Sequence, residues 1–141
     1  MVVTVLWRLE KEPNATVAHL FADVAAGTWY TDAVAWAAEN DIVQGYDSST
    51  FGPSDPITRE QMAAILYRYA SFKGYDLTAS NELDAFADAG NVSAWARTAV
   101  KWAVAEDLIT GVSTTGLCPV GHATRAQVAT ILMRFIDNIT K

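Results

Sequence analysis

Apolar residues fall at helical spacing in three stretches of the chain: Val2, Val5, Leu6 and Leu9; Met62, Ile65, Leu66 and Tyr69; Val128, Ile131, Leu132 and Phe135. Recurrence at three and four positions lines one face of a helix, so each stretch predicts an amphipathic helix with that face in a core. Two further stretches, Tyr30 to Asn40 and Ala96 to Glu106, are rich in alanine around a single tryptophan, Trp36 or Trp102. Alanine favours helix and lets helices approach closely, while the tryptophan supplies buried surface. Asn40-Asp41 offers a helix stop, with Gly45 and Gly111 giving the chain freedom for a sharp turn.

The same pattern occurs more than once. Phe21-Ala22-Asp23-Val24 returns as Phe86-Ala87-Asp88-Ala89, Trp29 and Trp36 as Trp95 and Trp102, and Gly45 as Gly111. Ile57-Thr58-Arg59-Glu60-Gln61 returns as Ala123-Thr124-Arg125-Ala126-Gln127. Each complete copy reads as helix, loop, helix, which predicts an all-α fold of tandem units burying their apolar faces against one another. The opening residues Val3-Thr4-Val5-Leu6-Trp7-Arg8 align with Ala63 to Arg68 and with Ala129 to Arg134. The chain is therefore expected to open inside the last helix of an earlier copy, with Met1 a start residue added to an excised fragment. The expected organisation is a truncated copy over 1–12, then complete copies over 21–75 and 86–139, joined by surface linkers at Lys11–Leu20 and Ser71–Ala85.

The loop of each copy is rich in breakers. Phe51 and Leu117 are expected to plug it onto the core, and Pro53 and Pro119 to stiffen it before the next helix. Thr58-x-x-Gln61 and Thr124-x-x-Gln127 are capping boxes, in which the threonine hydroxyl meets the backbone N–H three residues on.

Composition narrows the function. The net charge of −6 disfavours a broad electrostatic grip on nucleic acid, though not a local anion site. No apolar run approaches the roughly 20 residues that span a bilayer, so membrane insertion is not expected. The first nine residues lack the basic start of a signal peptide, so export would be directed by sequence elsewhere. The single cysteine, Cys118, excludes an internal disulfide and a multi-cysteine metal site, and aligns with Gly52 as a small packed residue. His19 and His122 lack partners for a metal site. No Ser-His-Asp set, phosphate-binding glycine loop or recurrent carboxylate pair suggests catalysis, and no cofactor is implied.

Arg59 and Arg125 follow the capping threonines directly. A cation there is unfavourable to the helix itself, whose start carries unpaired N–H groups and partial positive charge. Two readings explain its recurrence: an anion held jointly by those N–H groups and the guanidinium, or a bridge to a carboxylate such as Asp23 or Asp88. Both arginines are expected at exposed helix starts. Arg68 and Arg134, inside their helices, read as structural bridges.

Phe-x-Asp, then Trp, a small-residue helix, Gly, an aromatic-x-Pro loop and Ile-Thr-Arg, in that order and spacing, resembles the surface-layer homology (SLH) repeat. The resemblance covers nearly the whole chain. It implies a pseudo-threefold helical assembly that anchors exported bacterial proteins non-covalently to secondary cell-wall polysaccharide, often bearing acidic pyruvate ketals. It also implies that Thr58-Arg59 and Thr124-Arg125 are the ligand-binding Thr-Arg motifs, and it favours the anion reading of the arginines. Trp29 and Trp95, at helix starts near the loops, and the turn glycines Gly45 and Gly111 complete the expected polysaccharide site. The usual Ala-Glu after the arginine is here Glu60-Gln61 and Ala126-Gln127. Gly121-His122 replaces the Asp55-Pro56 of the first copy. The expected role is a non-catalytic cell-wall anchor at the bacterial surface, part of a larger exported protein. The alternative is a helical protein–protein scaffold, and self-association through the truncated copy is a possible partner mode.

Overall fold

The computed structural model describes residues 2–13, 31–43, 57–83, 86, 88–109, 116–117 and 121–138. They form helices α1 (Val2–Leu9), α2 (Thr31–Glu39), α3 (Arg59–Lys73), α4 (Arg97–Ala105) and α5 (Arg125–Asn138), with short 3-10 turns at Ala89–Asn91 and Ala94–Ala96. No strand occurs among the described residues, and the expected all-α class is what is found. No described helix is long and apolar enough to cross a membrane. The chain divides into two compact units, Met1–Asp55 and Pro56–Lys141.

In the first unit α1 packs on α2. The core takes Val3, Thr4 and Leu6 from α1 and Ala33 to Ala37, including Trp36, from α2. Val5 and Leu9, expected inside, are instead exposed. A helix turns about 100° per residue, which sets Val5 and Leu9 behind the face carrying Val3 and Leu6. The apolar spacing in α1 was compatible with either face.

In the second unit α3 packs against α4 and the turn at Ala94–Ala96. Met62, Leu66 and Tyr69 are buried as the pattern predicts, and so are Ile131, Leu132 and Phe135 of α5. Trp102 is fully buried and meets Tyr67 edge-on, ring centroids 5.5 Å apart; Tyr69 and Phe135 meet at 5.8 Å. Such pairs add directionality to plain burial.

The helix stops repeat between copies. Asp41 and Asp107 adopt left-handed backbone, φ 60° and 59°. Beyond them the N–H of Ile42 donates to the Ala37 carbonyl and that of Leu108 to the Ala103 carbonyl, each at 2.8 Å. This six-residue closure satisfies carbonyls that the helix end would otherwise orphan. The stop expected at Asn40-Asp41 is present, and its copy follows the same rule. Helix α3 ends on Gly74, at φ 75°, with the Tyr75 N–H returning to the Ala70 carbonyl at 2.9 Å. It thus runs to Lys73, past the expected linker start at Ser71, and the remaining connector is not wholly loose: Leu83 is buried and the Asn81 N–H donates to the Lys101 carbonyl at 3.1 Å.

Candidate functional site

Both predicted capping boxes form. At α3 the Gln61 N–H donates to the Thr58 hydroxyl at 3.2 Å, and the Thr58 N–H donates to Gln61 Oε1 at 2.9 Å. At α5 the Gln127 N–H donates to the Thr124 hydroxyl at 3.1 Å, and the Thr124 N–H donates to Gln127 Oε1 at 3.0 Å. The two helix starts are also tied to each other. An antiparallel bridge pairs Thr58 with His122: the Arg59 N–H donates to the Gly121 carbonyl at 3.0 Å, and the Ala123 N–H to the Ile57 carbonyl at 2.9 Å. Segments before equivalent helices in successive copies thus clasp one another.

Arg59 does not lie at an exposed helix start, as the sequence led us to expect. It is only 5% exposed, and its Nε donates to the Leu117 carbonyl at 2.8 Å. The N–H of Leu117 in turn donates to Asp88 Oδ1 at 2.8 Å. Arginine and aspartate, the charged members of two recurring motifs, therefore grip opposite sides of one loop residue. The Leu117 side chain is buried, as the plug reading expects. The reason for the burial is a contact distant in sequence: Leu117 of the second copy meets the start of α3, and the guanidinium satisfies a carbonyl that would otherwise be stranded. Backbone N–H groups of Arg59 and Gln61 are likewise taken by the protein, so the bare helix-start cradle imagined from sequence is largely filled from within.

The next residue continues the pattern. Glu60 is 2% exposed, and its carboxylate accepts the Ser93 hydroxyl at 2.9 Å and the Ser93 N–H at 3.3 Å from each oxygen. Ser93 opens the turn Ala94–Ala96, which leads straight into α4. Trp95 sits in this turn and is 58% exposed, whereas the neighbouring Ala96 is buried. The Arg97 guanidinium donates to the Val92 carbonyl at 3.4 Å, bracing the same turn.

Of the expected site residues, Thr58 and Arg59 lie at the start of α3, Trp95 stands two residues beyond Ser93, which is bonded to Glu60, and Thr124 lies two residues beyond His122, which is paired with Thr58. Arg125 holds the first position of α5. Trp29, Gly45 and Gly111 lie outside the described residues, as do Phe51, Asp23, His19 and Cys118. Arg68, read as an internal bridge, is half-buried and makes no ion pair with another described residue. His122 is exposed, and no cluster of metal-ligating side chains occurs among the described residues. Sequence reasoning missed Glu60 and Ser93. The available signal was the contrast between Glu60 and its counterpart Ala126, a charge present in one copy alone.

The S-layer homology domain model matches residues 20–63 and 85–129, each match carrying one of the two Thr-Arg helix starts. The chain belongs to the S-layer homology domain family. It is 35% identical over 122 residues to a Surface-layer 125 kDa protein of Lysinibacillus sphaericus, covering 84% of this chain and 10% of that protein. It is 32% identical over 134 residues to an Amylopullulanase of Thermoanaerobacterium thermosulfurigenes, covering 92% of this chain and 7% of the relative. It is 33% identical over 121 residues to Exoglucanase XynX of Acetivibrio thermocellus, covering 83% of this chain and 11% of the relative. This S-layer homology chain thus spans a small fraction of each relative's length.

Proposed function

We propose that this chain is a non-catalytic anchoring module at the bacterial cell surface, binding an acidic, pyruvylated secondary cell-wall polysaccharide. The segment recurs in relatives named for a surface layer, an amylopullulanase and an exoglucanase, in each case over a minor part of the protein. A segment common to proteins with such different names fits attachment better than a shared catalytic step. The repeats, taken as 1–12, 21–75 and 86–139, would present ligand grooves at their helix starts.

The observation that carries the reading is Trp95. A large aromatic face, more than half exposed, stands in a turn fixed by Ser93 to the residue that follows Arg59. An aromatic face held rigidly in water offers a sugar ring a stacking surface, and its indole N–H adds a polar handle. Arg59 lies below the same region and contributes positive potential toward a carboxylate-bearing ketal. Thr58, Thr124 and Arg125 at the clasped helix starts, with Trp29 and Gly45 of the first complete copy and Gly111 of the second, complete the binding set we assign. No cofactor takes part.

Co-sedimentation tests the reading against the scaffold alternative. The chain should pellet with purified walls carrying their secondary polysaccharide and stay in solution when that polymer has been extracted. Equal pelleting with both preparations, or with neither, would favour a protein–protein scaffold.

A further inference from the structure

The two helix starts are not equivalent, and the difference lies in one residue. Where the second complete copy has Ala126, exposed, the first has Glu60, buried. Burying a carboxylate is strongly unfavourable unless donors surround it. Here the donors are the hydroxyl and the N–H of Ser93, both directed at the Glu60 oxygens. Ser93 has extended backbone and begins a turn only three residues long. At the far side of that turn Ala96 is buried and its N–H donates to the Ser93 carbonyl at 3.0 Å. Trp95 therefore projects from a short segment fixed at both ends, and Glu60 supplies one of the two fixings. An alanine at position 60, as in the other copy, would leave Ser93 without that acceptor.

We propose that Glu60 is a positioning residue, which latches Ser93 so that the exposed Trp95 ring is held in a binding-competent orientation beside the start of α3. The proposal rests on the reading of Trp95 as a polysaccharide contact. Without the latch the turn samples more orientations, and apparent affinity falls in proportion to the competent fraction. Glu60 itself is too buried to meet the polymer. It also gives the helix start of the first complete copy a rigid aromatic platform by a means that the helix start of the second lacks.

The test uses the full chain labelled with 5-fluorotryptophan, the Trp95 resonance being assigned through Trp95→Phe. Glu60→Ala should shift and narrow the Trp95 fluorine signal in the absence of any ligand, and leave that of buried Trp102 in place. The same variant should bind purified pyruvylated wall polysaccharide about three- to tenfold more weakly. Glu60→Gln keeps a carbonyl acceptor for the Ser93 hydroxyl and should restore binding to within about twofold of the parent. Should Glu60→Ala fail to fold, Ser93→Ala removes the hydroxyl half of the latch and is read the same way. An unchanged Trp95 signal, or equal changes at Trp95 and Trp102, would overturn the proposal. If the unmodified chain binds no polysaccharide, the functional reading fails separately, and the fluorine signals still decide whether the latch exists.

Discussion

The Nε of Arg59 donates to the carbonyl of Leu117 across 2.8 Å, in a bond shut away from water. An arginine that sequence places at a solvated helix start is thereby part of the structure of the loop above it. Arg59→Ala should lower stability by about 1.5–3 kcal/mol, because it strands a buried carbonyl and empties the space beneath the loop. Arg59→Lys should recover only part of that loss, since an ammonium lacks the planar fork that reaches Leu117. Urea unfolding would show this as a lower midpoint at unchanged slope. An unmoved midpoint for Arg59→Ala would contradict the assignment.

Asp88 holds the other side of Leu117, through its N–H at 2.8 Å. The two grips should be coupled, because releasing one lets the loop move relative to the other. In a double-mutant cycle of Arg59→Ala and Asp88→Ala, the losses should deviate from additivity by about 0.5–3 kcal/mol. Additive losses would mean that the loop is held independently at each point.

The helix stops provide a test of the repeat itself. Asp41 and Asp107 both occupy left-handed backbone, where a Cβ is disfavoured and aspartate is only tolerated. Asp107→Gly should be neutral or stabilising by up to about 1 kcal/mol, whereas Asp107→Val should be destabilising, and Asp41 should follow the same order. Thermal melts of the four variants would decide. Opposite orders at the two positions would count against equivalent helix ends.

Much of this was legible in the sequence. The Met62–Tyr69 stripe, the two capping boxes and the Asn40-Asp41 stop follow from local rules, because each depends on residues within a turn or two. The burial of Arg59 was not legible, for the opposite reason. Its environment is made by Leu117, which lies in the loop of the following copy, and the position of an arginine on its own helix carries no information about what will fold over it. The outward rotation of Val5 and Leu9 has a similar origin: both faces of α1 carry apolar residues, and α2 selects one. The Glu60–Ser93 contact joins residues of successive copies, and only the mismatch with Ala126 hinted at it.

The exposed connector after α3 carries its own pH signature. Asp76 accepts hydrogen bonds from the Thr78 hydroxyl at 2.7 Å and the Thr78 N–H at 2.9 Å, and these hold its carboxyl below the usual aspartate value. A depressed value means that the turn is favoured with Asp76 ionised. That contribution is present above the ordinary aspartate range and is lost as pH falls through the lowered value. Carbon-13 NMR titration should find Asp76 ionising at lower pH than it does in Thr78→Val, where the hydroxyl donor is gone. Identical titrations would remove the hydroxyl as a cause.

The central claim is tested most directly by calorimetric titration of the chain with purified wall polysaccharide, intact and after mild-acid removal of its pyruvate ketals, at two salt concentrations. The account predicts saturable binding to the intact polymer that weakens with salt, at least tenfold weaker binding once the ketals are removed, by the usual worth of a lost charge-assisted contact of about 1.5–3 kcal/mol, and a comparable loss in Trp95→Ala. Equal affinity for both polymers, undiminished in Trp95→Ala, would contradict it.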